Sequence, residues 1–516
     1  MTTVSLGGGG RLDLRLVPAA LTSWMVTAAG IIWPVRGVIA VLLAATAATA
    51  AAVWWGSGRR EDVVRAAAAG VVAVIVVGAG FATAVCLRVD DVRNHAISER
   101  YGSVATVVVT ASASPRSLGG GRMMFRASLR TIDGSEMSGR VVVFVPVLGF
   151  AELTAGRPAS FRARIARPTR HDLTVAVLSA TGEPTFGAAS PVQRAAQGVR
   201  TGFADGARAA LPADQAAMLP ALVLGDTSAL TNQTAAEFRA SGLTHLTAVS
   251  GANVTIVCGA VLFTAALVGP RVAVALAALT LLAFVIVVEP SASVLRAAVM
   301  GAITLLAVAS HRRRQAVPVL SASVIALMIG APELAVDVGF ALSVVATAAL
   351  IVIAPVWSRR LVGRGWPKPL ADAVSVAVAA QLVTAPLVAG ISGRFSVVSI
   401  AANLVVAVVV APITVIGTAS AALHPLWPAG AQLLIRFTGP ELWWLLRVAQ
   451  WAAGVPGSSV PVPSGLIGVL TVAAAAGAAV ALWRWRWVRI GSLGAVIFLL
   501  AWTLSSLSGG HDTIVA

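Results

Sequence analysis

The chain has 516 residues, of which 58% are hydrophobic and 11% charged. That balance excludes a water-soluble globular protein, and several stretches reach the ~20 apolar residues that a bilayer helix needs. The fold class is therefore a polytopic α-helical membrane protein; its net charge of +17 exceeds what the Lys/Arg bias of cytoplasmic loops accounts for.

The N-terminal stretch "MTTVSLGGGGRLDLR" is polar and glycine-rich, unlike a cleaved signal peptide. Three membrane helices are expected within residues 1–95, at about 17–33, 36–55 and 66–88. Arg59, Arg60 and Arg65 mark the loop before the third as cytoplasmic. Cys86 and Cys258 lie in apolar runs and read as small hydrophobes, not as a disulfide or metal pair.

Residues 96–190 change to a β pattern. "SVATVVVTAS", "MFRASLRTID", "RVVVFVPVL", "ASFRARIARP" and "TVAVLSATG" predict five short strands, which suit a small OB-like barrel. The flanking charge places this domain on the extracytoplasmic side. Arginines crowd it. Arg126 and Arg130 share one strand face, and Arg162 and Arg164 share another. With Arg122 and Arg167 these are candidate contacts to a nucleic-acid backbone. Anionic lipid headgroups are the other partner such a face fits. The aromatic residues are few (Phe125, Phe144, Phe150, Phe161), so charge is favoured over base stacking.

An amphipathic connector is expected at 191–245, with capping-box spacing at Thr234 and Glu237 and a helix stop at Gly242. Residues 246–516 then form the main membrane domain. Spans are expected at about 246–268, 271–289, 293–310, 316–332, 337–356, 370–391, 396–421, 463–483 and 488–506. "HRRRQ", "SRRLVGRGWPK" and "RWRWVR" are inside markers. The segment 430–456 carries Arg436, Glu441 and Arg447, so it reads as interfacial or re-entrant.

Polar groups inside the spans are functional candidates. "HLTAVSGANVTI" carries His245, Thr247, Ser250, Gly251 and Asn253; a helix over 246–268 would gather Thr247, Ser250 and Asn253 on one wall. Arg296, Asp337, Gln381 and Asn403 lie in later spans, and Pro386 and Pro412 are expected to interrupt two helices. Singly, Gln381 and Asn403 also suit contacts between helices; together the set argues for a hydrated path. Catalysis is weakly supported. The six histidines lack metal-ligand spacing, there is no P-loop, and a Ser250–His245–Asp226 triad is the one nucleophilic arrangement on offer.

The stretch "LVLGDTSALTNQTAAEFRASGLTHLTAVSGANVTIV" resembles the ComEC-type competence proteins, through Gly225, Asp226, Phe238, Gly242, His245, Leu246, Val249, Ser250 and Gly251. "SVLRA" (Arg296), "DVGFALSVVAT" (Asp337, Gly339, Phe340, Leu342, Ser343, Thr347), "QLVTAPL" (Gln381, Pro386) and Asn403 extend the resemblance over about 220–420. Asn253 stands where many relatives have His. Many relatives also end in a metallo-β-lactamase-like domain; here no His/Asp cluster precedes Ala516, so a separate nuclease is expected.

The resemblance implies a multi-pass inner (plasma) membrane channel that passes single-stranded DNA inward, without covalent chemistry or a cofactor. Its translocation residues would be Asp226, His245, Ser250, Gly251, Asn253, Arg296, Asp337, Gln381 and Asn403. Implied partners are membrane lipids, a DNA receptor, the nuclease, a cytoplasmic helicase and a second copy of the chain. The alternatives are a small-molecule or lipid-linked transporter on the same scaffold, or an intramembrane hydrolase built on the Asp226, His245 and Ser250 set.

Overall fold

The computed structural model describes residues 3–4, 12–33, 61–170, 172–247, 249, 251–288, 291–309 and 315–482. The spans expected at 36–55 and 488–506, and the basic runs at 311–314 and 484–489, lie outside the described residues.

After a short antiparallel pairing of Thr3–Val4 with Leu12–Asp13, the first described helices are α1 (Val17–Ile32) and α2 (Glu61–Arg93). The β domain follows, as β1 (Val104–Ala111), β2 (Arg116–Gly119), β3 (Arg122–Ile132), β4 (Ser135–Pro146), β5 (Pro158–Ala166), β6 (Ala176–Ala180) and β7 (Thr185–Phe186). Five of these close a barrel in the order β1-β3-β4-β6-β5 and back to β1; β4 and β6 run parallel, and the other neighbours run antiparallel. Alternation of buried and exposed residues along the strands supplies the inner face. Phe125, Ala127 and Leu129 point inward from β3 while Arg122, Arg126 and Arg130 point out. Asp133 (φ 48°) and Gly134 (φ 83°) make the two-residue turn from β3 to β4, with both central residues left-handed as a type I′ hairpin demands. Phe150 packs edge-on against Phe161 at 5.2 Å inside the barrel core.

The helices continue as α3 (Pro191–Ala210), α4 (Ala213–Leu224), α5 (Asn232–Ala240), α6 (Gly251–Ala265), α7 (Pro270–Val288), α8 (Ala292–Ala309), α9 (Ala316–Gly330) and α10 (Val338–Val352). After them come α11 (Ala354–Val362), α12 (Lys368–Ser392), β8 (Arg394–Ser396), α13 (Ser399–Leu423), α14 (Pro428–Phe437), α15 (Gly439–Gly454), β9 (Ser459–Pro461) and α16 (Gly465–Leu482). Among the described residues, six helical stretches are long and apolar enough to cross a membrane: Ala73–Arg100, Pro270–Val288, Ala292–Ala309, Val338–Val362, Lys368–Ser392 and Ser399–Leu423. Several expected spans are shorter. α1 has 16 residues and α6 and α9 have 15 each. At 1.5 Å per residue such helices reach about 24 Å, short of the ~30 Å hydrocarbon layer.

Four expectations are corrected. The 191–245 connector is amphipathic only in part: α4 buries nine of its 12 residues, because after Asp214 and Gln215 its run "AAMLPALVL" is apolar on every side yet too short to span. The cap of α5 is Thr231, one turn before Thr234; its Oγ1 accepts from Thr234 N at 3.1 Å. α6 begins at Gly251, so Thr247 precedes it and does not share its face with Asn253, while Ser250 lies outside the described residues. Pro386 and Pro412 sit inside α12 and α13 without ending them. A bilayer-length apolar helix tolerates the one lost backbone bond.

The chain divides into two compact units that cut across its linear order. The first comprises 1–230, 246–351 and 410–442. Within it the barrel rests on the helices around a 3₁₀ turn, Pro332–Val336. Arg140 pairs with Glu333, and Arg126 lies 3.9 Å from Asp337. Leu173 of the barrel packs into the helical core of Val85, Leu327, Met328 and Phe340. Trp24 of α1 donates from Nε1 to Ala335 O at 2.9 Å and stacks edge-on with Phe340. The second unit comprises 231–245, 352–409 and 443–516. It holds α5, α11, α12 and α16, with a two-stranded antiparallel sheet in which β8 pairs with β9 and Phe395 lies opposite Val460. The segment 430–456, read as interfacial or re-entrant, forms α14 and α15. Leu442, Leu445, Leu446 and Ala449 of α15 are buried, whereas Trp443, Trp444, Arg447 and Trp451 are exposed.

Candidate functional site

The sequence candidates fall into separate clusters. In the first unit, α4 ends at Gly225, where Gly225 N and Asp226 N turn back to Ala221 O and Pro220 O. The carbonyls that follow lack a next helical turn to bond them. Asn253, 5% exposed, donates from Nδ2 to one of them, Leu222 O, at 2.9 Å. Asn253 therefore ties the start of α6 to the end of α4. Asp226 is half-buried, and its Oδ1 accepts from Ser228 N at 3.0 Å, steadying the same turn.

Arg296 of α8 is also in this unit and is 5% exposed. Its Nε donates to Ser343 Oγ at 2.7 Å, and Nη1 stands 3.0 Å from Met300 Sδ. Gly251 of α6 presses against its Nη2. The structure thus brings Gly251 and Arg296 together, and it adds Ser343, which the sequence offers only through the family-like "DVGFALS" stretch. Asp337 has a different place. Its Oδ1 accepts from Phe340 N at 2.9 Å, capping α10, and its other oxygen faces Arg126. It joins the barrel to the helices, apart from Arg296 in hydrogen bonding.

The second unit gathers Gln381 and Asn403 through Ser399. Ser399 Oγ donates to Gln381 Oε1 at 3.0 Å, and Asn403 Nδ2 reaches Ser399 O at 2.8 Å and Oγ at 3.2 Å. Ser399 is 2% exposed and was missed by sequence reasoning. Its signal was the spacing of four residues to Asn403 on one helix face. Gly242 closes over this cluster. It has φ 74°, and a Cβ on it would stand 2.5 Å from Ser399 Oγ. Ser396 Oγ donates to Ala240 O at 2.8 Å beside it. His245 belongs to this unit, in the 3₁₀ turn Thr244–Leu246, whereas Asp226 belongs to the first. Ser250 lies outside the described residues. Among those described, no His, Cys, Asp and Glu group is arranged to hold a metal ion.

The barrel arginines divide by direction. Arg126 is engaged with Asp337, and Arg130 Nε donates to Thr110 Oγ1 at 3.3 Å. Arg122 stands 6.0 Å over the Phe144 ring. Arg162, Arg164 and Arg167 are exposed, the first two on the outer face of β5. Phe125, Phe150 and Phe161 are buried in the barrel core, which removes three of the four phenylalanines as stacking platforms. Near Arg167, burial pushes the Tyr101 phenol above its ordinary pKa against the opposing pull of the guanidinium.

Apolar helices of bilayer length, with polar side chains bonded across them and a closed five-stranded barrel beside them, define a multi-pass membrane protein. The competence protein family matches residues 222–487, slightly more than half of the chain, and the chain belongs to that family. No curated protein and no solved structure matches the chain.

Proposed function

We propose that this protein is an inner-membrane channel that carries single-stranded DNA into the cytoplasm during transformation. Membership of the competence protein family carries the reading. Two features support the substrate. The exposed Arg162, Arg164 and Arg167 offer contacts to a polyanion, and the closed barrel with its parallel β4–β6 pair supports reading the domain as OB-like, a fold suited to single strands. The barrel would gather the strand on the extracytoplasmic side. Gly251 and Arg296 in the first unit, and Gln381 and Asn403 in the second, would each be candidates to contact the strand, with the driving force from a helicase or the proton gradient.

The test is uptake. Deleting the gene should leave labelled DNA bound at the cell surface and abolish its arrival in the cytoplasm. Normal arrival in the deletion strain overturns the channel. Arg162→Ala with Arg164→Ala and Arg167→Ala should weaken DNA binding by the full-length protein and flatten its salt dependence. An unchanged salt slope removes the barrel from the pathway.

A further inference from the structure

Arg296 is a cation for which the described residues supply no counter-charge. Among the described residues its side-chain partners are Ser343 Oγ and Met300 Sδ, both neutral. Among the described residues, no carboxylate lies within ion-pair distance of it. A guanidinium keeps its proton in a protein, so the folded chain buries a positive charge. That is costly unless an anion compensates it.

The third nitrogen, Nη2, is the one turned to α6. A Cβ built on Gly251 would stand 2.7 Å from Nη2 and 3.2 Å from Ala297 Cβ. Only a glycine admits the guanidinium this close. Gly251 is also the first residue of a 15-residue helix, whose N-terminus carries about half a positive charge. Two positive ends therefore meet in a largely buried place. Left empty the arrangement is repulsive; with an anion between them it becomes favourable, since helix N-termini and arginine forks are both phosphate binders.

We propose that Arg296 and the N-terminus of α6 form a binding site for phosphodiester groups, through which the backbone of a polynucleotide passes. This rests on the channel reading and adds the chemistry of one station on its path. The site reads charge and not base, as a conduit for any sequence requires.

The test uses the full-length protein in phospholipid-free detergent with three probes: labelled oligothymidylate, its uncharged methylphosphonate analogue, and inorganic phosphate. Arg296→Met should weaken oligothymidylate binding roughly tenfold or more. It should lower the salt slope by about 0.7 and leave binding of the methylphosphonate analogue unchanged. Phosphate should raise the unfolding temperature of the wild type and not of R296M. The variant without phosphate should unfold no earlier than the wild type, because a buried unpaired charge is gone. Gly251→Ala, which keeps the charge but displaces Nη2, should weaken binding in the same direction.

If R296M binds oligothymidylate as the wild type does, and phosphate stabilises both equally, the site is overturned. It is also overturned if R296M unfolds early and phosphate never shifts the wild type, for then the arginine only packs. If phosphate protects the wild type alone while oligothymidylate binds neither protein, the anion site stands and the channel reading falls. Anionic phospholipid, added back, should compete with oligothymidylate only weakly; protection by lipid alone makes the site one for headgroups and overturns its role on a DNA path.

Discussion

Asn253 Nδ2 donates to Leu222 O at 2.9 Å, so an asparagine in the first turn of α6 closes the carbonyl end of α4. Removing the amide strands a buried carbonyl. Asn253→Ala should destabilise the protein by about 1–3 kcal/mol. Thermal unfolding in detergent, followed by tryptophan fluorescence, measures this. An unchanged unfolding temperature with lost DNA uptake would instead place Asn253 on the path itself.

Gly242 meets Ser399 inside the second unit. A side chain at 242 has to adopt φ 74° and would stand 2.5 Å from both Cβ and Oγ of Ser399. Gly242→Ala should cost about 2 kcal/mol or more. Ser399→Ala should not relieve it, since Cβ remains; Ser399→Gly should relieve it in part. Limited proteolysis of the double variants ranks them, and a G242A protein as resistant as the wild type contradicts the close approach.

The barrel is held to the helices by Arg140–Glu333 and Arg126–Asp337. Both arginines are more than half exposed, so each pair contributes little, about 0.5 kcal/mol. Arg140→Glu should nevertheless destabilise by more than that, because Glu333 Oε2 is buried and lacks a hydrogen-bond partner among the described residues. Restoring the pair as R140E/E333R should recover part of the loss. A thermodynamic cycle showing no coupling would dissolve the proposed attachment.

Tyr101 is the only tyrosine in the chain, and its hydroxyl donates to Val175 O at 2.7 Å. Its phenol is raised above the model-compound value of 10.0 chiefly by burial. The folded state thus favours the neutral form. Its contribution is complete below the unfolded pKa near 10 and is lost as pH rises through the higher folded value. Phenolate absorbance should appear later on alkaline titration than after denaturation. Tyr101→Phe should cost about 1 kcal/mol and abolish the signal. A phenol that ionises at the same pH in both states contradicts the buried bond.

Much of the fold was legible from the chain alone. Residues that alternate every second position, as Arg122 through Arg130 do, specify a strand with one face inside, and the five predicted strands close as a barrel. Long apolar runs specify helices for the same reason of burial. Helix α4 is different: its run from Ala216 to Leu224 is apolar on every side and carries no periodicity, so it reads as part of a connector while the structure buries it.

The sequence by itself determined the class of protein, the existence of the barrel and its basic surface, and the polar residues that interrupt apolar helices. These follow from composition and period, which are properties of neighbours along the chain. Only the tertiary structure decided which polar residue meets which. It joined Gln381 to Asn403 through Ser399, set Asp337 against a barrel arginine, and gave Asn253 the carbonyl of Leu222. It also set Arg296 against Gly251, 45 positions earlier, without a carboxylate nearby among the described residues. The physical reason is that a buried polar group is defined by its partner, and partners distant in sequence are chosen by packing.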